Sequence, residues 1–167
     1  DEDGVPDPTT AKKEFSIPNA LNNVSSSPVS DISLAQTGWM LVSQRSMNGD
    51  SQSGAHQSTT YQYDYQNGAW TWIGTTYVVG ELLPFSAAGG VDHDFDPNGY
   101  VWMTGDALDF YTPNVVYGLQ GTPHGGGDIK TSTLIDLDGE ITGQDKTAMG
   151  DVELPIPGDA MPVPEPQ

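Results

Sequence analysis

The segment Ser58-Thr59-Thr60-Tyr61-Gln62-Tyr63-Asp64-Tyr65-Gln66-Asn67-Gly68-Ala69-Trp70-Thr71-Trp72-Ile73 holds two runs of polar/apolar alternation on either side of an Asn-Gly pair. A period of two sends successive side chains to opposite faces of a strand, and Asn-Gly accepts the two positive φ angles of a type I′ turn. The segment therefore predicts a β-hairpin. A two-residue turn at Asn67-Gly68 pairs Tyr65 with Trp70 and Tyr63 with Trp72 on one face, opposite Gln62, Asp64 and Thr71 on the other. The aromatic stripe is expected to be this sheet's half of a sandwich core, with the polar face in water.

Working outward, Gly38-Trp39-Met40-Leu41-Val42-Ser43 reads as a short apolar strand, and the polar residues 48–54 after it as a loop. Further strands are expected over 75–79, 100–104, 115–119, 131–137 and 151–154. Short strands between Gly, Pro and Asn turns, with no helical stripe beyond about one turn, indicate an all-β fold, an antiparallel β-sandwich or jelly-roll-like domain. No internal repeat is present. Residues 1–30, rich in Pro, Ser and Asn, read as an extended amino-terminal arm with one helical turn near residues 10–15. Residues 155–167 hold five prolines and form a Pro-rich tail. The folded domain is thus expected over 31–154. Segments of this composition are ordered only when something holds them, and a neighbouring copy of the chain is the expected holder. Glu14-Phe15-Ser16-Ile17, which alternates before Pro18, is the candidate donor strand for an adjacent sheet edge.

Five Lys and Arg against 23 Asp and Glu leave a formal charge of −18, which repels nucleic acid and anionic lipid and draws cations or basic partners. Self-repulsion of that size opposes a compact state unless salt screens it or divalent ions neutralise clustered carboxylates. With no cysteine, neither a disulfide framework nor a thiolate site is available. Apolar runs such as Tyr77-Val78-Val79 are far too short to span a bilayer, so no membrane span is expected. The chain opens at Asp1 without an initiator Met, as a processed secreted protein does, and an extracellular or cell-surface location is expected.

In Asp92-His93-Asp94-Phe95-Asp96-Pro97-Asn98-Gly99, three carboxylates at alternate positions precede a turn. Calcium takes six to eight hard oxygens, and such a loop supplies several; Asp92, Asp94, Asp96 and Asn98 are the candidate ligands, with Asp106 near enough in sequence to join. A second stretch, Asp136-Leu137-Asp138-Gly139-Glu140-Ile141-Thr142-Gly143-Gln144-Asp145, resembles the later part of an EF-hand or dockerin calcium loop. That resemblance implies Asp136, Asp138 and Asp145 as side-chain ligands and a backbone carbonyl from Glu140, with Leu134 standing where the first ligand would be. Asp1-Glu2-Asp3-Gly4-Val5-Pro6-Asp7 resembles half of a thrombospondin-type calcium repeat. Val163-Pro164-Glu165-Pro166 resembles the core of the PEP-CTERM sorting signals of secreted bacterial proteins associated with exopolysaccharide. Asn23-Val24-Ser25 is a formal glycosylation sequon.

His56, His93 and His124 lack zinc spacing, and Gly121-Thr122-Pro123-His124-Gly125-Gly126-Gly127-Asp128 lacks the Lys and following helix of a phosphate loop, so it reads as a surface loop. There is no G-x-S-x-G elbow and no H-E-x-x-H, and the expectation is that the chain is not an enzyme. A hydrolase built on two carboxylates, Asp106 and Glu81 for instance, stands third among the readings. The leading expectation is a secreted, calcium-binding structural subunit of an extracellular filament, sheath, tubule or matrix, polymerising with copies of itself by terminal-arm exchange. The alternative is a carbohydrate-binding or adhesin domain that stacks extracellular polysaccharide on Tyr63, Tyr65, Trp70 and Trp72 or bridges it through calcium.

Overall fold

The computed structural model describes residues 8–17, 26–35, 38–54, 56–81, 85–96, 98–109, 116–137 and 150–156. Its strands are β1 (Val29–Leu34), β2 (Trp39–Gln44), β3 (Met47–Gly49), β4 (Gln52–Ser53), β5 (Thr60–Gln66), β6 (Ala69–Tyr77), β7 (Ala87–His93), β8 (Tyr100–Gly105), β9 (Gly118–Pro123) and β10 (Thr133–Asp136). The helical elements among these residues are two single 3-10 turns, Pro8–Thr10 and Ile129–Thr131, and no helix is long and apolar enough to cross a membrane.

The hairpin forms in the expected register, with Tyr65 opposite Trp70 and Tyr63 opposite Trp72. Asn67 and Gly68 carry φ of 53° and 83°, the signature of a type I′ turn. Beyond Trp72 the ladder shifts, and Tyr61 faces Thr76. Gly74, at φ 83°, supplies the left-handed residue within that irregularity. The strand expected separately at 75–79 is therefore the continuation of β6 past a bulge.

Two four-stranded antiparallel sheets result, ordered β1-β2-β5-β6 and β10-β9-β8-β7, with β3 and β4 pairing apart. β1 begins at Val29, two residues ahead of the boundary expected from composition. β7, Ala87-Ala88-Gly89-Gly90-Val91-Asp92-His93, has little strand propensity and is fixed by its neighbours instead. Gly121-Thr122-Pro123, expected in a surface loop, closes β9 opposite Trp102, Val101 and Tyr100. A β-carbon on Gly121 would lie 2.9 Å from the Trp102 ring, so the indole can rest across this strand only because residue 121 has no side chain. Residues 151–154, expected as a strand, pair with none.

The sandwich core joins Leu41, Tyr77 and Val79 to Ala87, Val91, Val101, Met103, Leu108 and Val116. Leu41 and Gln62 share a register position on sheet one, as do Ser43 and Thr60, so the sparsely apolar face of the hairpin is the one turned to the second sheet. This reverses the expected orientation. The opposite face, Met40, Val42, Tyr61 and Tyr63, is covered by Phe15 and Ile17 of the amino-terminal segment, with Trp70 at its margin. Alternation separates two faces without saying which meets the other sheet, and β2, buried along nearly its whole length, is apolar on both.

The inter-sheet space is consequently rich in hydroxyl and amide groups that must find partners. Gln120, with no exposed surface, accepts from the Gly80 amide at 2.8 Å and donates toward the Val78 carbonyl at 2.9 Å and the Ser132 hydroxyl at 3.0 Å. It thereby fastens β9 to the segment leaving β6. Gln120→Leu keeps the volume but strands a buried N–H and a carbonyl, and should lower unfolding free energy by about 2–4 kcal/mol in a urea titration; an unchanged midpoint would show that the network contributes nothing.

Candidate functional site

The densest arrangement of polar side chains lies on the seam where β1 and β7, each the edge of its sheet, run side by side. No backbone ladder joins them. Side chains of β1 do so: the Ser30 hydroxyl donates to the Gly89 carbonyl at 2.9 Å, and the Val91 amide donates to Asp31 Oδ2 at 2.7 Å. One turn of the strand further on, Ser33 Oγ donates to Asp92 Oδ1 at 2.7 Å and lies 2.6 Å from His93 Nδ1. Asp92 Oδ1 also accepts from the His93 amide, and its Oδ2 from the Leu154 amide at 2.6 Å. Asp92 is 7% exposed and His93 3%, so a carboxylate is held in the interior by three donors.

Proton counting fixes the histidine tautomer. Ser33 has one hydroxyl hydrogen and the carboxylate takes it, so Ser33 Oγ must receive its second bond from Nδ1–H of His93. Nε2 then carries a bare lone pair, and it is buried without a hydrogen-bond partner among the described residues. The ring lies between Trp39, 5.0 Å away centroid to centroid, and Phe95 at 4.8 Å; Trp39 also meets His124 at 5.6 Å. Burial pushes the His93 pKa down; the Asp92 charge opposes this, His124 reinforces it, and Asp94 opposes it again.

Ser33, His93 and Asp92 are the residue types of a nucleophilic triad in a different order. Asp92 sits on the same side of the imidazole as the serine and holds the serine's proton, so among the described residues no carboxylate orients the far nitrogen and the hydroxyl is not poised to lose its hydrogen to the ring. What the arrangement does is clasp the edges of two sheets and the segment at Leu154. Beside it a cleft of about 200 Å³ opens, with Ile32, Leu34, Phe95 and Ile156 as its apolar walls and Ser33 and His93 among its lining.

The expected calcium ligands are dispersed. Asp92 turns into the seam. Asp94 Oδ1 accepts from the Asp96 amide at 2.9 Å and Asp96 Oδ1 from the Asn98 amide at 2.8 Å, two successive Asx turns that shape the β7–β8 connection. Asp106 follows the far end of β8, roughly 20 Å along the strand from that connection, and pairs at 2.7 Å with Arg45, the chain's single arginine. Asp136 ends β10, and its Oδ1 is buried without a hydrogen-bond partner among the described residues. Among those residues no three His, Asp or Glu side chains converge as a metal site would require. Asp138, Glu140 and Asp145 lie outside the described residues, as do the segments 1–7, 23–25 and 163–166.

On the aromatic face Tyr63 is buried under Phe15, whereas Tyr65 is 56% and Trp72 45% exposed. The rings stand edge to face, Tyr65 to Trp70 at 64° and Tyr61 to Trp72 at 85°, which makes a stepped surface and not a plane. Glu14, Phe15, Ser16 and Ile17 pair with no strand among the described residues; Phe15 and Ile17 turn inward while Glu14 and Ser16 face solvent. Reading the sequence missed Asp31, Ser33 and Asp151, since contacts across about sixty residues leave no local pattern.

Comparison with family models, curated proteins and solved structures finds no match to the chain.

Because burial lowers the His93 pKa in the folded state, its contribution is present above the ordinary imidazole value of 6.5 and is lost as pH falls through that value toward the lower folded-state one. Between about pH 7.5 and about pH 5, wild-type protein should therefore lose melting temperature relative to His93→Gln; a difference that stays constant with pH would rule this out.

Proposed function

We propose that the chain is a secreted β-sandwich subunit of an extracellular assembly, such as a filament, sheath, tubule or matrix, whose copies are joined by exchange of the amino-terminal arm. The supporting observation is how the arm is held. Phe15 stacks on Tyr63 at 4.7 Å, and with Ile17 it covers Met40, Val42 and Tyr61, yet residues 11–17 take part in no ladder. An arm seated through two side chains makes the same contacts on a neighbour's identical face, so exchange costs little contact energy and is governed by chain geometry and concentration. Burying a Phe and an Ile contributes about 1.5–3 kcal/mol each when complete, enough to matter and little enough to be reversible.

Calcium belongs to this reading as the ion that would offset repulsion among 23 acidic residues and brace the acidic turns. Its support is the chain's charge, the solvent-facing Asp96 of the β7–β8 turn, and the buried oxygen of Asp136, without a hydrogen-bond partner among the described residues, at the start of the second acidic stretch. Carbohydrate binding ranks second: the exposure of Tyr65 and Trp72 favours it, and their tilted rings do not.

Light scattering and electron microscopy across a concentration series should show oligomers or fibres for the full chain and monomers for a variant lacking residues 1–17 or carrying Phe15→Ser, with the β-sheet circular dichroism of both retained. Assembly that survives both changes would end the arm-exchange reading. Independently, at low ionic strength added calcium should raise the melting temperature by several degrees and EDTA should reverse it; a melt indifferent to both removes calcium and leaves the arm untouched.

A further inference from the structure

We propose that the cleft beside the β1–β7 seam binds a small primary ammonium ion carried on an apolar stem, as in an alkylamine. The space, about 200 Å³, takes one such molecule, since a cavity of about 150 Å³ already holds benzene. Its walls suit the stem. Ile32, Leu34 and Ile156 are 49–60% exposed, so their apolar surface stands in water until something covers it, and Phe95 completes the lining.

The floor decides the head group. Ser33 gives its one hydroxyl hydrogen to Asp92 Oδ1, and His93 gives its Nδ1–H to Ser33 Oγ. The amides of His93 and Leu154 are given to Asp92 as well. These donors are therefore all engaged, and the capacity left over is of the opposite kind. A carboxylate offers about four lone-pair positions and Asp92 fills three; a hydroxyl oxygen offers two and Ser33 fills one. His93, 3% exposed, keeps a lone pair on Nε2 that has no partner among the described residues.

Glu153, exposed at the rim, adds another acceptor-only group, and no Lys or Arg is among the described residues that line the cleft. An anionic head would meet two carboxylates and find no free side-chain donor. An ammonium group has three donors and no acceptor, which is the complement of this floor. The formal charge of −18 draws such a cation toward the surface, and the cleft holds it by matching both of its ends. Binding of this kind is a property of the single chain, so it stands or falls separately from arm exchange.

The test is a nuclear magnetic resonance titration of the full ¹⁵N-labelled chain with n-pentylammonium chloride at constant ionic strength. The amide signals of Ser33, His93 and Leu154 should shift together and saturate, with a Kd on the order of 1 mM. Pentan-1-ol and hexanoate, which keep the stem and change the head, should each bind about tenfold more weakly or worse. Glu153→Gln, at an exposed side chain, should weaken pentylammonium binding about threefold. Ile32→Ser, which removes half-exposed apolar wall, should weaken it by about as much. Shifts that spread over the acidic surface without saturating would mean an adventitious counter-ion only and would overturn the proposal. So would equal binding of pentanol, or wild-type affinity in both variants.

Discussion

The central strands of the first sheet, β2 and β5, are apolar on both faces, and that constraint governs most of the molecule. Trp39 and Leu41 point one way, Met40 and Val42 the other, and Tyr61 and Tyr63 line up with the second set. A sheet with two apolar faces needs two covers, since either face left in water would forfeit about 25 cal/mol for each square ångström of apolar area. The second sheet covers the Leu41 face. The Met40 face is covered in part by two side chains of the amino-terminal segment, and its flanks, with Ile32 and Leu34 on β1 and Trp72 on β6, remain 45–60% exposed. The arm thus serves the packing of this face before it is anything else, which is why a reading built on its exchange begins from packing and not from composition.

The same orientation explains the polar interior. Turning the Gln62 and Ser43 face inward places hydroxyls and amides between the sheets, and each must be satisfied there. Ser43 and Thr60 bond at 3.1 Å, Thr104 accepts from the Gly90 amide at 2.8 Å, and Gln120 spans two segments. The seam between β1 and β7 extends this logic to charge. Ser30, Asp31 and Ser33 substitute for ladder hydrogen bonds between two edges that do not pair, and a buried carboxylate is tolerable at Asp92 because three donors surround it. Two ionisable groups on one seam then pull in opposite directions with pH, since burial lowers the pKa of His93 and raises that of Asp31.

The legible parts of the sequence were those written locally. Asn67-Gly68 and the alternation around it specify turn type, register and facing pairs within sixteen residues, and all three hold. Whether that alternation turns its aromatic side toward the other sheet depends on residues 15 and 17, more than forty positions away, and no local period encodes it. β7 was invisible for a related reason: Ala, Gly and Asp are poor strand formers, and this segment is a strand because β8 pairs with it and β1 clasps its edge. Asp92, Asp94 and Asp96 look like one constellation because sequence spacing counts positions. The strand ends at His93, so the first of the three belongs to an edge and the others to a turn. Asp106, ten residues beyond Asp96, is separated from that turn by the full length of β8.

Charge sets the terms on which any of these contacts could be made between copies. At −18, two chains approaching in dilute buffer repel at distances well beyond contact, while the arm's own interaction, a Phe and an Ile on an apolar face, is not weakened by screening. The arm itself carries Lys12 and Lys13 beside Phe15, two of the five cationic residues in the chain, although Lys12 is partly occupied by Glu14 at 2.8 Å. Over residues 1–30, however, five acidic side chains outweigh these two, so the arm is itself net acidic and its apolar side chains, not its charge, must hold it to a neighbour. In the proposed assembly, therefore, the arm would reach across a gap that the two sandwiches have no incentive to close, and screening by salt or divalent cations would decide how near they finally stand.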